Sequence, residues 1–304
     1  MHTKQKFQFS IITPTYNRAD LLKRVWDSLR IQKEYISEWI VIDDGSSDQT
    51  SEFVKKFKNE SDFKIVYEYT KNRGMTHAIN VGLKYVEGSY FFKLDSDDYL
   101  LENSLDLIHQ KINIIRTSKV IKEIKAFSFL TSYPNGKAIN KFNNLINIDN
   151  DYEEKIITLD YLSARFMNSI TGDLLDVFES YPLLNHFRYP VFNDESHSPS
   201  SYISYFNADF YQGQVAFVLE TVLIKDYQLD GISSQRKKYN LNLPNRNLKS
   251  YLLSYLWLLN IASNQLKPLF LVSKIILKNY IILIFSLLSK LIKLIYIKLM
   301  KIFK

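Results

Sequence analysis

The stretch WIVIDDGSSDQT (Trp39–Thr50) passes in one step from apolar residues to acids, glycine and serines. Its opening apolar run, extended by Glu38, reads as a buried strand. Asp-Gly directly after it is turn chemistry. Ser46, Ser47 and Asp48 then offer caps for a helix running through Phe53, Val54 and Phe57. The same order recurs on both sides of this stretch. FSIIT leads into TPTYNR and a helical pattern from about Ala19 to Ile31, with Leu21, Leu22, Val25 and Leu29 on one face. FKIVYEY leads into a loop containing NRG and a helix from about Met75 to Val86, and SYFFKL leads into DSDD (Asp95–Asp98). Strands alternating with helices predict a parallel sheet with right-handed crossovers and helices on both faces. All four polar loops then fall on the sheet edge where open α/β folds bind ligands.

DSDD sets the sharpest chemical problem. Three carboxylates within four residues at the end of a buried strand repel one another. Something positive belongs among them: a metal ion, a basic side chain, or water at a loop tip. Asp43 and Asp44 pose a milder version, since a β-turn alone accounts for Asp-Gly.

Composition narrows the classes. The chain has 304 residues, 46% hydrophobic and 14% aromatic, which suits one large α/β domain or two modest ones and excludes a disordered protein. With no cysteine there are no disulfides, thiolate zinc sites or cysteine nucleophiles, and a reducing compartment is expected. No long apolar run precedes FSIIT, so no signal peptide is expected. The formal charge of +7 hides an asymmetry. No acid follows Asp230, while thirteen of the 39 basic residues do, leaving 26 basic against 32 acidic residues before that point. An acidic body with a basic tail points to a polyanionic partner at one end.

SIITPTYNR, WIVIDDGSSDQT and NRGMTHAINVGLKYVEGSYFFKLDSDDYL together resemble the nucleotide-sugar half of family 2 glycosyltransferases, inverting enzymes of the A-type fold. The resemblance runs from about Phe9 to Leu101. It implies the A-type α/β fold: a mostly parallel, Rossmann-like sheet with helices on both faces, here followed by C-terminal amphipathic helices. It implies donor-binding residues Thr13, Pro14, Thr15, Tyr16, Asp44, Arg73, Asp95 and Ser96, with Asp44 facing the uracil N3–H and Arg73 at the base or diphosphate. Asp97 is the implied ligand of Mn²⁺ or Mg²⁺, with Asp95 near the ribose or sharing the metal, and Asp98 an outer ligand or a cap. A hard divalent cation would resolve the repulsion between these carboxylates and a diphosphate. Asp48 reads better as a helix cap than as a ligand contact, and His77 as a structural helical histidine. A sugar nucleotidyltransferase would instead show a Gly-rich phosphate loop where this chain has TPTYNR.

Beyond about Ile115 the periodicity weakens. IKAFSFLTSYPNGKAI reads as strand and turn. The region around YPVFNDESHSPSS and YQLDGIS resembles the acceptor half of the same family, which carries an acidic general base at the start of a helix here. In ungapped reading that place falls on Ser200, so the base expected for inverting transfer passes to Glu195 or Asp194. The expected organisation is 1–115 donor half, 116–248 acceptor half of the same domain, and 249–304 tail. In the tail Asn279, Ser286, Lys290, Lys293, Lys301 and Lys304 fall on one helical side and Ile282, Leu287, Leu291, Leu294 and Ile295 broadly opposite. That pattern reads as a basic amphipathic helix lying on an anionic membrane surface, or as a helix packed on a protein surface. The expected protein is a peripheral enzyme of the cytoplasmic membrane face that takes a nucleotide-sugar donor and a glycan or lipid-linked acceptor, without a nucleic-acid partner. The oligomeric state is open.

Overall fold

The computed structural model of the protein describes residues 7–118, 124–140, 155–160, 164, 170–193, 195, 197–210, 214–229, 231 and 247–263. Strands β1 (Phe9–Thr15), β2 (Ile36–Asp43), β3 (Lys64–Tyr69) and β4 (Tyr90–Lys93) alternate with helices α1 (Ala19–Arg30), α2 (Thr50–Glu60) and α3 (Met75–Gly82). α3 is shorter than its sequence pattern and finishes in a 3₁₀ turn, Leu83–Tyr85. Its last residue explains how closely it lies on the sheet, because a Cβ on Gly82 would meet Ile12 Cγ2 at 2.6 Å.

The remaining elements are β5 (Tyr99–Leu100), α4 (Ser104–Thr117), β6 (Ala126–Ser132), β7 (Ile156–Asp160), β8 (Leu175–Glu179), α5 (Leu183–His186), α6 (Tyr202–Phe210), β9 (Gln214–Ile224) and α7 (Leu248–Ser263). The sheet runs β3-β2-β1-β4-β8-β6-β9-β5, with β7 also paired to β9. β3, β2, β1 and β4 are mutually parallel, as the alternation predicts. The second half is mixed rather than parallel: β8 lies antiparallel to β4 and β6, and β5 and β7 antiparallel to β9. Only residues 94–98 separate β4 from β5, too few for the crossover that a parallel neighbour needs. β5 therefore turns away and pairs Tyr99 with Ile224 and Leu100 with Leu223.

Strand alternation sorts the core into two layers. Phe9 and Ile11 join Leu22, Val25, Trp26, Val54 and Phe57 on the α1–α2 side. Ile12 joins Ala78 and Ile79 of α3, Leu183 of α5 and Ile203 of α6 on the other. α7 docks on this second layer: Trp257 stacks edge-on to Tyr202 at 4.8 Å and donates its Nε1–H to Asp209 Oδ2 at 2.6 Å. No helix among the described residues is long and apolar enough to cross a membrane. The amphipathic segment expected beyond Ser263 lies outside the described residues.

Candidate functional site

The four strand-end loops meet, and they are tied to one another. Asn17, in the left-handed region at φ 51°, donates its N–H to Ser46 Oγ (2.8 Å) and accepts from Ser47 N–H through Oδ1 (2.8 Å). Asp48 accepts from Ala19 N–H (3.1 Å), Thr50 N–H (3.1 Å) and Thr50 Oγ–H (2.6 Å), so the expected cap serves the starts of both α1 and α2. Asp43 closes its own turn, accepting from Ser46 N–H and Tyr67 O–H, both at 2.7 Å.

Asp44 is buried and bridges the second loop to the third. Its Oδ1 accepts from Arg73 N–H (2.9 Å) and Thr70 Oγ–H (3.3 Å), and its Oδ2 from Gly74 N–H (2.7 Å). A carboxylate has about four acceptor positions, so one remains, on Oδ2. Gly74 sits at φ 93°, a conformation glycine adopts without strain, and it opens α3. Arg73 itself is exposed, with Nη1 3.1 Å from His77 Nε2.

The TPTYNR loop is divided. Thr13 is fully buried and its Oγ1 accepts from Trp39 Nε1–H at 2.9 Å, so this hydroxyl serves the core rather than the crevice. The reason is strand parity: Thr13 shares the face of Phe9 and Ile11. Thr15 is also buried, and its hydroxyl has no hydrogen-bond partner among the described residues. Pro14 pairs in register with Ile42, and Tyr16 is 48% exposed at the strand end.

Basic side chains stand among the DSDD carboxylates. Asp95 Oδ1 accepts from Lys93 Nζ at 2.5 Å, and its Oδ2 lies 3.5 Å from Lys225 Nζ. Asp98, buried, accepts from Lys225 Nζ at 2.6 Å and from Asp226 N–H at 3.2 Å, so it is an ion-pair partner rather than a cap. Among the described residues Asp97 has the looser company of Arg18 Nη1, 3.6 Å from its Oδ2. Burial raises the Asp95 carboxyl, but Lys93 and Lys225 outweigh it and hold the group well below the usual carboxylate range. Burial, then the charge on Asp95, pushes Asp97 up. Burial alone would lower Lys225, yet Asp95 and Asp98 hold its ammonium well above the ordinary lysine range. Ser96 is buried between them.

Among the described residues no group of three or more His, Cys, Asp or Glu side chains is placed to hold a metal. Asp97 nevertheless suits a hard cation shared with a diphosphate, because such ions take one or two carboxylates and complete their shell from phosphate and water. Asp95, expected beside it, is engaged by two lysines.

Glu195 is placed differently from the expected base. Its carboxylate accepts from Lys249 N–H (2.5 Å), Ser250 N–H (2.9 Å) and Ser250 Oγ–H (2.6 Å), which caps α7. The first backbone N–H groups of a helix have no partner within it, and an acid there satisfies them. Asp194 lies outside the described residues. Ser200 is exposed, and its carbonyl accepts from Tyr189 O–H at 3.3 Å. His197 is mostly buried, its Nδ1 has no hydrogen-bond partner among the described residues, and burial followed by the Lys93 charge lowers it to about 4.

Lys225, Arg24 and Lys93 were not singled out by the sequence reading. Arg24 donates through Nη1 to Asp226 Oδ2 (2.6 Å) and through Nη2 to the Asp97 carbonyl (3.1 Å). Lys225 had a readable signal: it follows the apolar end of β9 as the other polar residues follow their strands. A separate cavity of about 440 Å³ lies between α1 and α2, lined by Trp26, Phe57 and paired charges such as Arg30 with Asp27. It includes Lys33 and Phe63, which precede β2 and β3, and so opens toward the opposite edge.

Comparison with known proteins agrees with this arrangement. The chain is 33% identical over 105 residues to glycosyltransferase GlyA of Streptococcus pneumoniae, covering 34% of this chain and 15% of that protein. It is 36% identical over 100 residues to the poly(ribitol-phosphate) beta-N-acetylglucosaminyltransferase TarS of Staphylococcus aureus, covering 32% and 18%. It is 40% identical over 98 residues to an uncharacterized glycosyltransferase of Rickettsia bellii, covering 32% and 14%. The chain thus spans less than about a fifth of the length of each of these relatives. In three dimensions it is similar to S. aureus TarS 1–349 in complex with UDP-GlcNAc, with a TM-score of 0.61 at 20% identity over 83% of this chain and 67% of that one. It is also similar to the mannosyltransferase PcManGT from Pyrobaculum calidifontis in complex with GDP-Man and Mn²⁺, with a TM-score of 0.54 at 18% identity over 83% and 64%. These likenesses fix the A-type glycosyltransferase fold. Residues 10–155 match the model of glycosyl transferase family 2.

Proposed function

We propose that the protein moves a sugar from a nucleoside-diphosphate donor, a UDP-sugar, to a glycan or lipid-linked glycan with inversion, in assembly of a cell-surface polysaccharide. The observation that carries this reading is the interlocking of four strand-end loops around Asp44 and Asp97 within the residues that match glycosyl transferase family 2. The UDP-GlcNAc of the TarS complex and the GDP-Man of PcManGT support a nucleotide-sugar donor.

Asp44 accepts the uracil N3–H on its remaining Oδ2 position. Tyr16 and Arg73 flank the base and diphosphate from the rim, while Pro14, Thr13 and Thr15 shape the strand end beneath and Ser96 and Asp95 lie toward the ribose. Asp97 holds the divalent cation, which when bound stabilises the negative charge on the departing diphosphate. Inverting transfer also needs a base for the acceptor hydroxyl. With Glu195 engaged as a cap, Asp194 is the acid assigned that step, and Glu195 positions the loop that carries it. The basic tail beyond Ser263 holds the enzyme peripherally on the cytoplasmic membrane face.

The test is calorimetric titration of UDP with Mn²⁺, paired with UDP release from a panel of UDP-sugars with and without acceptors. Asp97→Asn is expected to abolish metal-dependent UDP binding in a folded protein, and undiminished binding rejects the assignment. Ser200 at the expected acid position also favours a second reading, a nucleotide-sugar-binding protein without transfer. Tight UDP-sugar binding with no release on any acceptor would support that reading.

A further inference from the structure

The DSDD loop needs no external ion to be electrically balanced. Among the described residues its three carboxylates face three cations: Lys93 on Asp95, Lys225 on Asp95 and Asp98, and Arg18 on Asp97. Lys225 is the unusual member. It comes from the far half of the chain, about 130 residues from Asp95, and its side chain is 13% exposed. Its backbone N–H donates to the Ser132 carbonyl at 2.9 Å, and the next N–H, of Asp226, donates to Asp98 Oδ1 at 3.2 Å. Asp226 is held in turn by Arg24, which also grips the Asp97 carbonyl. Lys225 is therefore delivered to the loop from a fixed strand end.

We infer that Lys225 is a resident cation of this loop that withholds Asp95 and Asp98 from a divalent metal and leaves Asp97 as the carboxylate facing one. A divalent ion arriving alone meets one carboxylate and a fixed ammonium that repels it. An ion arriving with a diphosphate gains further oxygen ligands and charge compensation from the nucleotide. The protein then takes up metal as a metal–nucleotide pair and not before. This rests on the reading of Asp97 as a metal-facing residue.

The experiment measures Mn²⁺ binding by calorimetry and by loss of the free-ion EPR signal, first without nucleotide and then with UDP. The wild type is expected to bind Mn²⁺ weakly without nucleotide. Lys225→Met frees Asp98 and leaves Asp95 with Lys93 alone, and is expected to tighten nucleotide-free Mn²⁺ binding ~10-fold or more, the scale on which second-sphere partners act on metal affinity. Lys225→Arg retains the charge and is expected to behave as wild type. Because Lys225→Met leaves the buried Asp98 carboxylate without its lysine, the double variant Lys225→Met/Asp98→Asn is measured alongside. It removes the freed Asp98 charge and still releases Asp95 from Lys225, with Lys93 as its remaining partner, so it is expected to bind more tightly than wild type and less tightly than Lys225→Met. Folded Lys225→Met and Lys225→Met/Asp98→Asn that bind no more tightly than wild type without nucleotide overturn the inference, as does tight nucleotide-free binding by wild type. The UDP arm reports separately. If UDP fails to promote Mn²⁺ binding to wild type while Lys225→Met gains it alone, the role of Lys225 stands and the metal-dependent donor reading fails.

Discussion

Replacing Glu195 separates two roles that one acid cannot easily combine. The carboxylate accepts three hydrogen bonds from the first turn of α7, at 2.5, 2.9 and 2.6 Å. Removing a capping side chain costs about 0.5–2 kcal/mol, and losing a negative charge beside a helix N-terminus costs a further ~0.3–1 kcal/mol. Glu195→Ala is therefore expected to weaken the docking of α7 by about 1–3 kcal/mol, with Glu195→Gln losing roughly half as much because one acceptor remains. Hydrogen exchange is the suitable assay, since the amides of α7 report its own opening. On that scale exchange in the first turns of α7 should quicken roughly 5–150-fold in the alanine variant if opening is in equilibrium. Transfer by Glu195→Gln should stay within a few-fold of wild type. Unchanged exchange together with a ~10²–10⁴-fold loss of transfer would refute this reasoning and restore Glu195 as the base.

Asp44→Ala removes both the bridge to Arg73 and Gly74 and the acceptor for the base, so it should lower thermal stability and weaken UDP binding by about 1.5–3 kcal/mol by calorimetry. Lost stability with unchanged UDP affinity would assign Asp44 to bracing the loops alone. His197 has its folded-state value depressed to about 4 by burial and then Lys93, with Asp95 opposing. A depressed value contributes stability that is present above the ordinary 6.5 and is lost as pH falls toward 4. Unfolding midpoints should drop across that window in wild type and less steeply in His197→Asn; parallel curves would discount the group. Removing residues 264–304 should move the protein from membrane to soluble fraction, and high salt or alkaline carbonate should strip the full chain from membranes. Retention through both washes would point to a spanning anchor.

What was legible in the sequence follows from how local each cause is. The strands of the first half announce themselves because apolar runs, turn residues and caps lie within ten residues of one another, as in Trp39–Thr50. Asp48 is a cap for the same local reason. The inward turn of Thr13 was also available, since Phe9, Ile11 and Thr13 alternate with Ser10 and Ile12. The second half is less legible because its pairings are distant: β8 enters beside β4 from more than 80 residues later, and two-residue β5 has no pattern of its own. The cap by Glu195 depends on Ser250, 55 positions away, and no spacing rule links them. The positive partner that DSDD demanded was foreseen as a class, a metal or a basic side chain, and the basic side chains are the part that the fold supplies.

The placement of β5 has a consequence for recombination. Residues 94–98 leave β4, which is hydrogen-bonded to β1 and β8, and enter β5, which is hydrogen-bonded to β9. The loop is thus a seam sewn from both sides, and neither half of the chain closes it alone. A chimera that joins residues 1–115 to the second half of another A-type enzyme inherits the sheet yet loses the lysine and arginine-held aspartate that border this seam. Exchange of acceptor halves between such proteins then requires the strand equivalent to β9 to be transplanted with its native partner loop, so the seam, and not the boundary near Ile115, is the unit that evolution and engineering must move together.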